Sequence, residues 1–201
     1  MSLYFTSDTH FTLKDYDGVV VRDARPFSSC QKMIKEIVKI WNKQAGKNDT
    51  IYHLGDFVNY NCKDNKNYEY CFSLVKKIKA KVILILGNNE ERIMRNHFDN
   101  DFEKFKAYLL NLGFADVVLD GIHLDLGRTE SCDGVKAYLN HYPMKREEGI
   151  LNLFGHIHST VKVKPYGFNV GVDVNHFRLN SEKYILYLLE CQPKFDENVY
   201  N

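Results

Sequence analysis

Val82-Ile83-Leu84-Ile85-Leu86-Gly87-Asn88-Asn89-Glu90 joins an uninterrupted apolar run to a glycine and three polar residues. A strand that is apolar without alternation is buried on both faces, as in a parallel sheet covered on both sides. Its carboxyl end delivers polar side chains to a loop, and that edge of a sheet is where α/β proteins place their sites. The same coupling of apolar strand to polar end recurs in both directions along the chain.

Upstream, Tyr68 to Lys79 reads as a helix through Cys71, Leu74, Val75 and Ile78, and Thr50 to Leu54 as a strand ending at Gly55-Asp56-Phe57. Before it, Ser28-x-x-Gln31 has the form of a capping box, and Met33, Ile34, Ile37, Val38 and Trp41 share one helical face, with Gly46 as the stop. Leu3 to Ser7 is a first strand ending at Asp8-Thr9-His10, and residues 11 to 27 read as a loop or small hairpin (Gly18 to Arg22) over that end.

Downstream come two helical patches, Glu90 to Asn96 and Phe102 to Leu112, the second stopped by Gly113. Short strands follow at Val117 to Leu119, Ile122 to Leu126 and Val135 to Leu139, the last running into Asn140-His141-Tyr142-Pro143. The apolar run at 150 to 153 leads into Phe154-Gly155-His156-Ile157-His158. If the chain stays extended there, both histidines project from one strand face, and Gly155 allows close backbone approach. Further strands are expected near Thr160 to Lys164 and Phe168 to Val174; Ser181 to Glu190 fits helix or strand, and the polar tail after Pro193 frays. The β-α-β-α-β first half followed by clustered strands predicts an α/β sandwich of two packed mixed β-sheets flanked by helices. At 201 residues the expectation is a single domain over 1–201.

Composition narrows the function classes. Hydrophobic content of 44% with 26% charged residues is ordinary for a globular protein, and a net charge of +1 gives no general pull towards nucleic acid. Lys76, Lys77, Lys79 and Lys81 form the densest basic run, without interleaved aromatics, and read as a solvated helix end. Nucleic acid is therefore a conceivable partner that charge does not indicate. Five scattered cysteines with no C-x-x-C pair suggest neither a disulfide framework nor a thiolate zinc site. They read as reduced thiols, and with no signal peptide or membrane-length apolar run the expected location is cytoplasmic.

The strand ends carry Asp8 and His10, Asp56, Asn88, His141, and His156 with His158. Imidazole and carboxylate together suit borderline transition metals, and ligands far apart in sequence can converge on one sheet edge. The ordered series D-x-H, G-D, G-N-x-[DE], H and G-H-x-H resembles the calcineurin-like metallophosphoesterases and spans residues 8 to 158. Asp173, Arg25-Pro26-Phe27 and Trp41-Asn42 further resemble small bacterial and phage-type members.

The resemblance implies two divalent transition metal ions, Mn first, with Fe, Zn, Ni or Co as alternatives. Asp8, His10 and His158 would hold one, Asn88, His141 and His156 the other, and Asp56 would bridge them. It implies hydrolysis of a phosphodiester or small phosphomonoester by a metal-bridging hydroxide, without a membrane partner. Phosphodiesters are expected over phosphoproteins because no docking domain is evident. The family pattern G-N-H-[DE] carries a His where this chain has Asn89, an amide that cannot titrate near neutral pH. Asn89 is thus a weakened catalytic candidate, and a degenerate binding scaffold is the rival reading. Another departure, Asn59 in the place of an Asp, concerns a residue outside the ligand set. Arg25 either reaches a substrate phosphate through its planar donor fork or anchors the loop before the helix. Of the other histidines, His53 and His123 read as structural, His97 as a surface group, and His176 as a loop residue that could reach the site.

Overall fold

The computed structural model describes residues 1–13, 25–60, 65–130 and 134–192. Two five-stranded sheets form the frame. In the first, β1 (Leu3–Thr6), β2 (Thr50–Leu54), β3 (Lys81–Ile85) and β4 (Asp116–Val118) run parallel in that order. In the second, β5 (Ile122–Leu126), β6 (Val135–Leu139), β7 (Leu151–Phe154), β8 (Val163–Lys164) and β9 (Gly167–Asn169) lie in the order β5-β6-β7-β9-β8, with parallel pairing only at β6/β7 and β7/β9. A short β10 (Asn180–Ser181) closes the first sheet antiparallel to β1. The architecture is the expected sandwich of two mixed sheets with helices.

Alternate residues of β3 serve two different cores, which explains its unbroken apolar sequence. Val82 and Leu84 point into the layer between the first sheet and the helices, with Met33, Ile37, Trp41, Phe72 and Phe105. Ile85 points the other way, joining Phe5 and Leu54 against Leu139, Leu153 and Phe168 of the second sheet. The helices are α1 (Cys30–Gln44), α2 (Asn65–Ser73), α3 (Asn88–His97), α4 (Phe102–Leu112) and α5 (Glu182–Cys191). The apolar stripe of α1 is the one read from sequence, but its cap is Ser29, whose side chain accepts from the Lys32 amide, so the helix starts one residue later than a Ser28 cap implies. Gly113 does end α4, in the left-handed region at φ 113°. A 3-10 turn at Leu74–Lys77 replaces the last expected turns of α2, and Ser181 caps α5, which settles that ambiguous segment as mostly helix.

The extended reading of 154 to 158 is corrected. β7 stops at Phe154, and His156 and His158 have φ of 70° and 46°. Asp8, His10 and Asp56 are likewise left-handed, at φ 61°, 47° and 53°. Non-glycine residues rarely adopt this conformation, and its clustering marks a strained, functional edge. The expected hairpin at 18 to 22 and the tail after Pro193 lie outside the described residues. Among the described residues no helix is long and apolar enough to cross a membrane.

Candidate metal centre

Pairing between β1 and β2 continues past both strands: the Asp8 amide donates to Gly55 O at 3.0 Å, His10 to Asp56 O at 2.9 Å and Phe11 to Phe57 O at 2.9 Å. Parallel exits therefore travel side by side, bringing Asp8 and His10 against Asp56. On the second sheet, the Gly155 amide donates to His141 O at 3.1 Å, so the exits of β6 and β7 are held together in the same way. The two edges meet at Gly155. A Cβ built there would stand 2.5 Å from Asp8 Oδ2 and closer still to Ser7 Oγ, and the next amide, that of His156, donates to both Asp8 carboxylate oxygens at 3.1 and 3.0 Å. Gly155→Ala is expected to separate the sheet edges and cost about 1–3 kcal/mol. Thermal unfolding of the variant measures this; an unchanged midpoint would contradict it.

Seven side chains converge at this junction in two adjoining groups. His10 Nε2 lies 3.4 Å from Asp56 Oδ2 and 3.9 Å from Asp8 Oδ1, and its ring stacks on that of His158 with centroids 4.9 Å apart. Asp8, His10 and His158 offer ligand atoms within 4.8 Å of one another. In the second group, Asn88 Oδ1, His141 Nε2 and His156 Nδ1 form a triangle with sides of 3.1, 3.0 and 3.2 Å. Asp56 lies between the groups, its Oδ1 being 3.8 Å from His141 Nε2. Asp8 also reaches the second group, since Asp8, Asp56 and His141 likewise converge within 4.8 Å.

These side chains fit divalent cations. His10 is buried with neither ring nitrogen partnered, and burial first, against the pull of Asp56, pushes its pKa down to about 3. It is a buried neutral imidazole whose Nε2 stands beside two carboxylates without a hydrogen bond, an arrangement that a shared cation would satisfy. His141 Nδ1 lies 2.7 Å from Leu54 O, which can only accept, so the proton sits on Nδ1 and the Nε2 lone pair faces Asn88 Oδ1. Likewise His158 Nδ1 faces Asp173 Oδ2 at 2.8 Å, leaving Nε2 for the cluster. Metal-ligating histidines are typically oriented by such carbonyl and carboxylate acceptors. Burial would raise the Asp56 pKa, but His10, His141 and the Asn89 hydrogen bonds hold it below the usual carboxylate value; burial lifts that of Asp8.

Of the two readings of Arg25, the structure favours the anchoring one. Arg25 is not available to a substrate. Its Nε and Nη2 clasp Asp173 at 2.7 and 3.0 Å, Nη2 also donates to Asp8 O at 2.6 Å, and Nη1 donates to Thr9 O at 2.7 Å and approaches Met33 Sδ at 3.5 Å. All five N–H groups are engaged and the residue is buried. Arg25 is a brace that fixes the Asp8-Thr9-His10 backbone and, through Asp173, the His158 ring. Arg25→Lys is expected to weaken metal affinity about 10–100-fold, because one ammonium cannot replace a planar fork. Titration of the metal-free protein with Mn reads this out, and unchanged affinity would refute the brace.

Asn89 is also occupied. Its backbone and side-chain nitrogens donate to Asp56 Oδ1 and Oδ2 at 2.9 and 2.6 Å, and its Oδ1 accepts from the Tyr60 amide at 3.0 Å. One of its two side-chain N–H groups is thereby spent on Asp56, which gives Asn89 a positioning role at that carboxylate.

Sequence reading missed Glu90, although the motif contains it. Fully buried, it accepts the amides of Asp56, Phe57, Val58 and Gly87 at 2.7, 3.0, 3.3 and 3.0 Å. Burial, then the charge of Asp56, pushes its pKa up to about 8 against those hydrogen bonds. The missed signal was Gly87-x-x-Glu90, the reach-back half of a capping box at the start of α3. The remaining histidines stand apart from the two groups: His53 meets Thr9 Oγ1 at 3.0 Å, His97 meets Tyr60 Oη at 2.8 Å, exposed His123 meets Glu147 at 2.8 Å, and His176 is exposed.

Residues 1–189 match the family model described as calcineurin-like phosphoesterase. The chain belongs to that family. An uncharacterised protein of Methanocaldococcus jannaschii is 27% identical over 188 residues, covering 94% of this chain and 91% of the relative. The crystal structure of a protein of unknown function from Aquifex aeolicus superposes with a TM-score of 0.59 at 20% identity, covering 93% of this chain and 98% of that one. That likeness concerns the fold. The calcineurin-like phosphoesterase family and the clustered ligand atoms fit a metal-dependent hydrolase of phosphate esters.

Proposed function

We propose that the protein is a binuclear metal-dependent phosphoesterase acting on phosphodiesters or small phosphomonoesters in the cytoplasm. The observation that carries this reading is the pair of adjoining ligand groups, one containing a buried His10 with two unpartnered nitrogens. Asp8, His10 and His158 would hold one ion, Asn88, His141 and His156 the other, and Asp56 would face both. Two divalent ions there, with Mn the leading choice, would supply Lewis acidity, an activated water and neutralisation of phosphoryl charge.

The chain's own contribution is preorganisation. Asn89 fixes both Asp56 oxygens, Leu54 O and Asp173 fix the His141 and His158 rings, and Glu90 fixes the loop from which Asp56 projects. His156 is exposed, so an ester approaches from its side. The test is elemental analysis beside hydrolysis of an activated phosphodiester, with about two equivalents of metal and turnover expected.

Because Asn89 cannot donate a titratable proton, rates are expected to fall steeply as the leaving group becomes more basic. A series of aryl and alkyl diesters measures the slope; a flat dependence would place an acid elsewhere in the site. The same absence favours a second reading, a metal-binding scaffold without turnover. That reading predicts full metal occupancy with no hydrolysis in Mn, Ni or Zn.

A further inference from the structure

A groove of about 660 Å³ opens from His156 and is lined by Tyr142, Met144, Arg146, Lys164 and Tyr166. Tyr142 links it to the cluster, its ring packing edge-on against His141 and His156 with centroids 4.9 and 5.1 Å away. The Tyr142 hydroxyl is tied to Glu91 at 3.0 Å, which fixes that wall. On the far wall the Arg146 guanidinium lies 4.4 Å from the Tyr166 ring centroid, and Lys164 Nζ lies 5.9 Å from it. Neither cation has a carboxylate within 4 Å among the described residues. Neither forms an ion pair among the described residues, and the ligand-set roles assigned above use none of these groove residues except His156.

This combination has a defined chemistry. Two tyrosine rings and a guanidinium placed over one of them offer a stacking surface for a planar heteroaromatic ring. Two cations beside the same ring, neither in an ion pair among the described residues, attract a phosphate, and an arginine fork can grip it bidentately. The volume lies in the range of a small-molecule site. A purely apolar leaving group would leave the cations unused, and an inorganic anion would leave the rings unused.

We propose that this groove is a nucleotide subsite, so that the esters cleaved at the adjoining cluster are nucleotide esters whose base stacks between Tyr142 and the Arg146/Tyr166 platform. The proposal rests on the phosphoesterase reading, which it narrows to a substrate class.

The test is equilibrium binding to the metal-free protein by calorimetry, with adenosine 5′-monophosphate, ribose 5-phosphate and inorganic phosphate as probes. Adenosine 5′-monophosphate is expected to bind about tenfold or more tighter than ribose 5-phosphate, the difference being the stacked base. Tyr166→Leu should erase most of that preference. Arg146→Gln should weaken both organic phosphates, and Arg146→Lys should restore phosphate attraction without restoring the base preference. Equal affinities for the two organic phosphates in the wild type, or a preference untouched by both Tyr166→Leu and Arg146→Gln, would overturn the subsite. Hydrolysis of a simple activated diester by the metal-loaded protein is assayed separately. Turnover without a base preference sinks the subsite alone, whereas a base preference without turnover sinks the phosphoesterase reading alone.

Discussion

Asp56→Asn is expected to abolish stoichiometric metal binding and to lower hydrolysis of an activated phosphodiester by at least about 100-fold, the upper end of what loss of a mere supporting partner costs a metal site. Two effects act together. The substitution removes the negative charge that faces both ligand groups, 3.4 Å from His10 Nε2 on one side and 3.8 Å from His141 Nε2 on the other. It also replaces an acceptor by a donor. Both Asp56 oxygens accept from Asn89, at 2.9 and 2.6 Å, so in either flip of the new amide an NH₂ group meets an N–H or NH₂ of Asn89. The new amide is then turned away from the orientation in which Asp56 faces both ligand groups. Metal content by elemental analysis, turnover, and far-ultraviolet circular dichroism to confirm a folded chain make the measurement. A variant that keeps about two equivalents of metal and wild-type turnover would remove Asp56 from the centre.

Glu90→Ala is expected to be the most destabilising single change at this edge. It strips the acceptor from four amides, those of Asp56, Phe57, Val58 and Gly87, in a region where water does not reach the carboxylate. Each buried donor left unpaired costs about 1–3 kcal/mol, so even two that find no substitute cost about 2–6 kcal/mol. For a chain of this length that corresponds to a fall in Tm of about 5–20 °C. Glu90→Gln keeps one oxygen for two of the amides and sets an NH₂ against the other two, so its loss lies between wild type and Ala. A fall of less than about 2 °C for Glu90→Ala would show that the loop after β2 holds its shape without the carboxylate. Metal affinity should fall with stability, since the same loop carries Asp56.

Arg25 and Asn89 illustrate how a motif can name residues without naming their partners. Both stood out as polar groups beside a predicted phosphate site, and both turn inward, one to Asp173 and two backbone carbonyls, the other to Asp56. Sequence cannot distinguish a donor aimed at a substrate from a donor spent on the protein, because that depends on atoms brought in from distant strands. Arg25 and Asp173 are 148 positions apart.

The strands of both sheets, and the edge at which polar side chains gather, are legible in local sequence. The unbroken apolar β3, the alternation in β5 and β6, and polar residues at the end of each strand are local patterns, and local patterns follow from burial and side-chain period. Only the tertiary structure decided how those ends meet. The histidine pair at 156 and 158 does not share a strand face; left-handed backbone at both residues sends His156 to Asn88 and His141 and leaves His158 against His10 and Asp173. That conformation is unfavourable for the isolated segment and is held by contacts that exist only after both sheets have packed, chief among them the approach of Gly155 to Ser7 and Asp8. The candidate residues and their expected grouping were therefore legible in one dimension, while the backbone that brings them together required three.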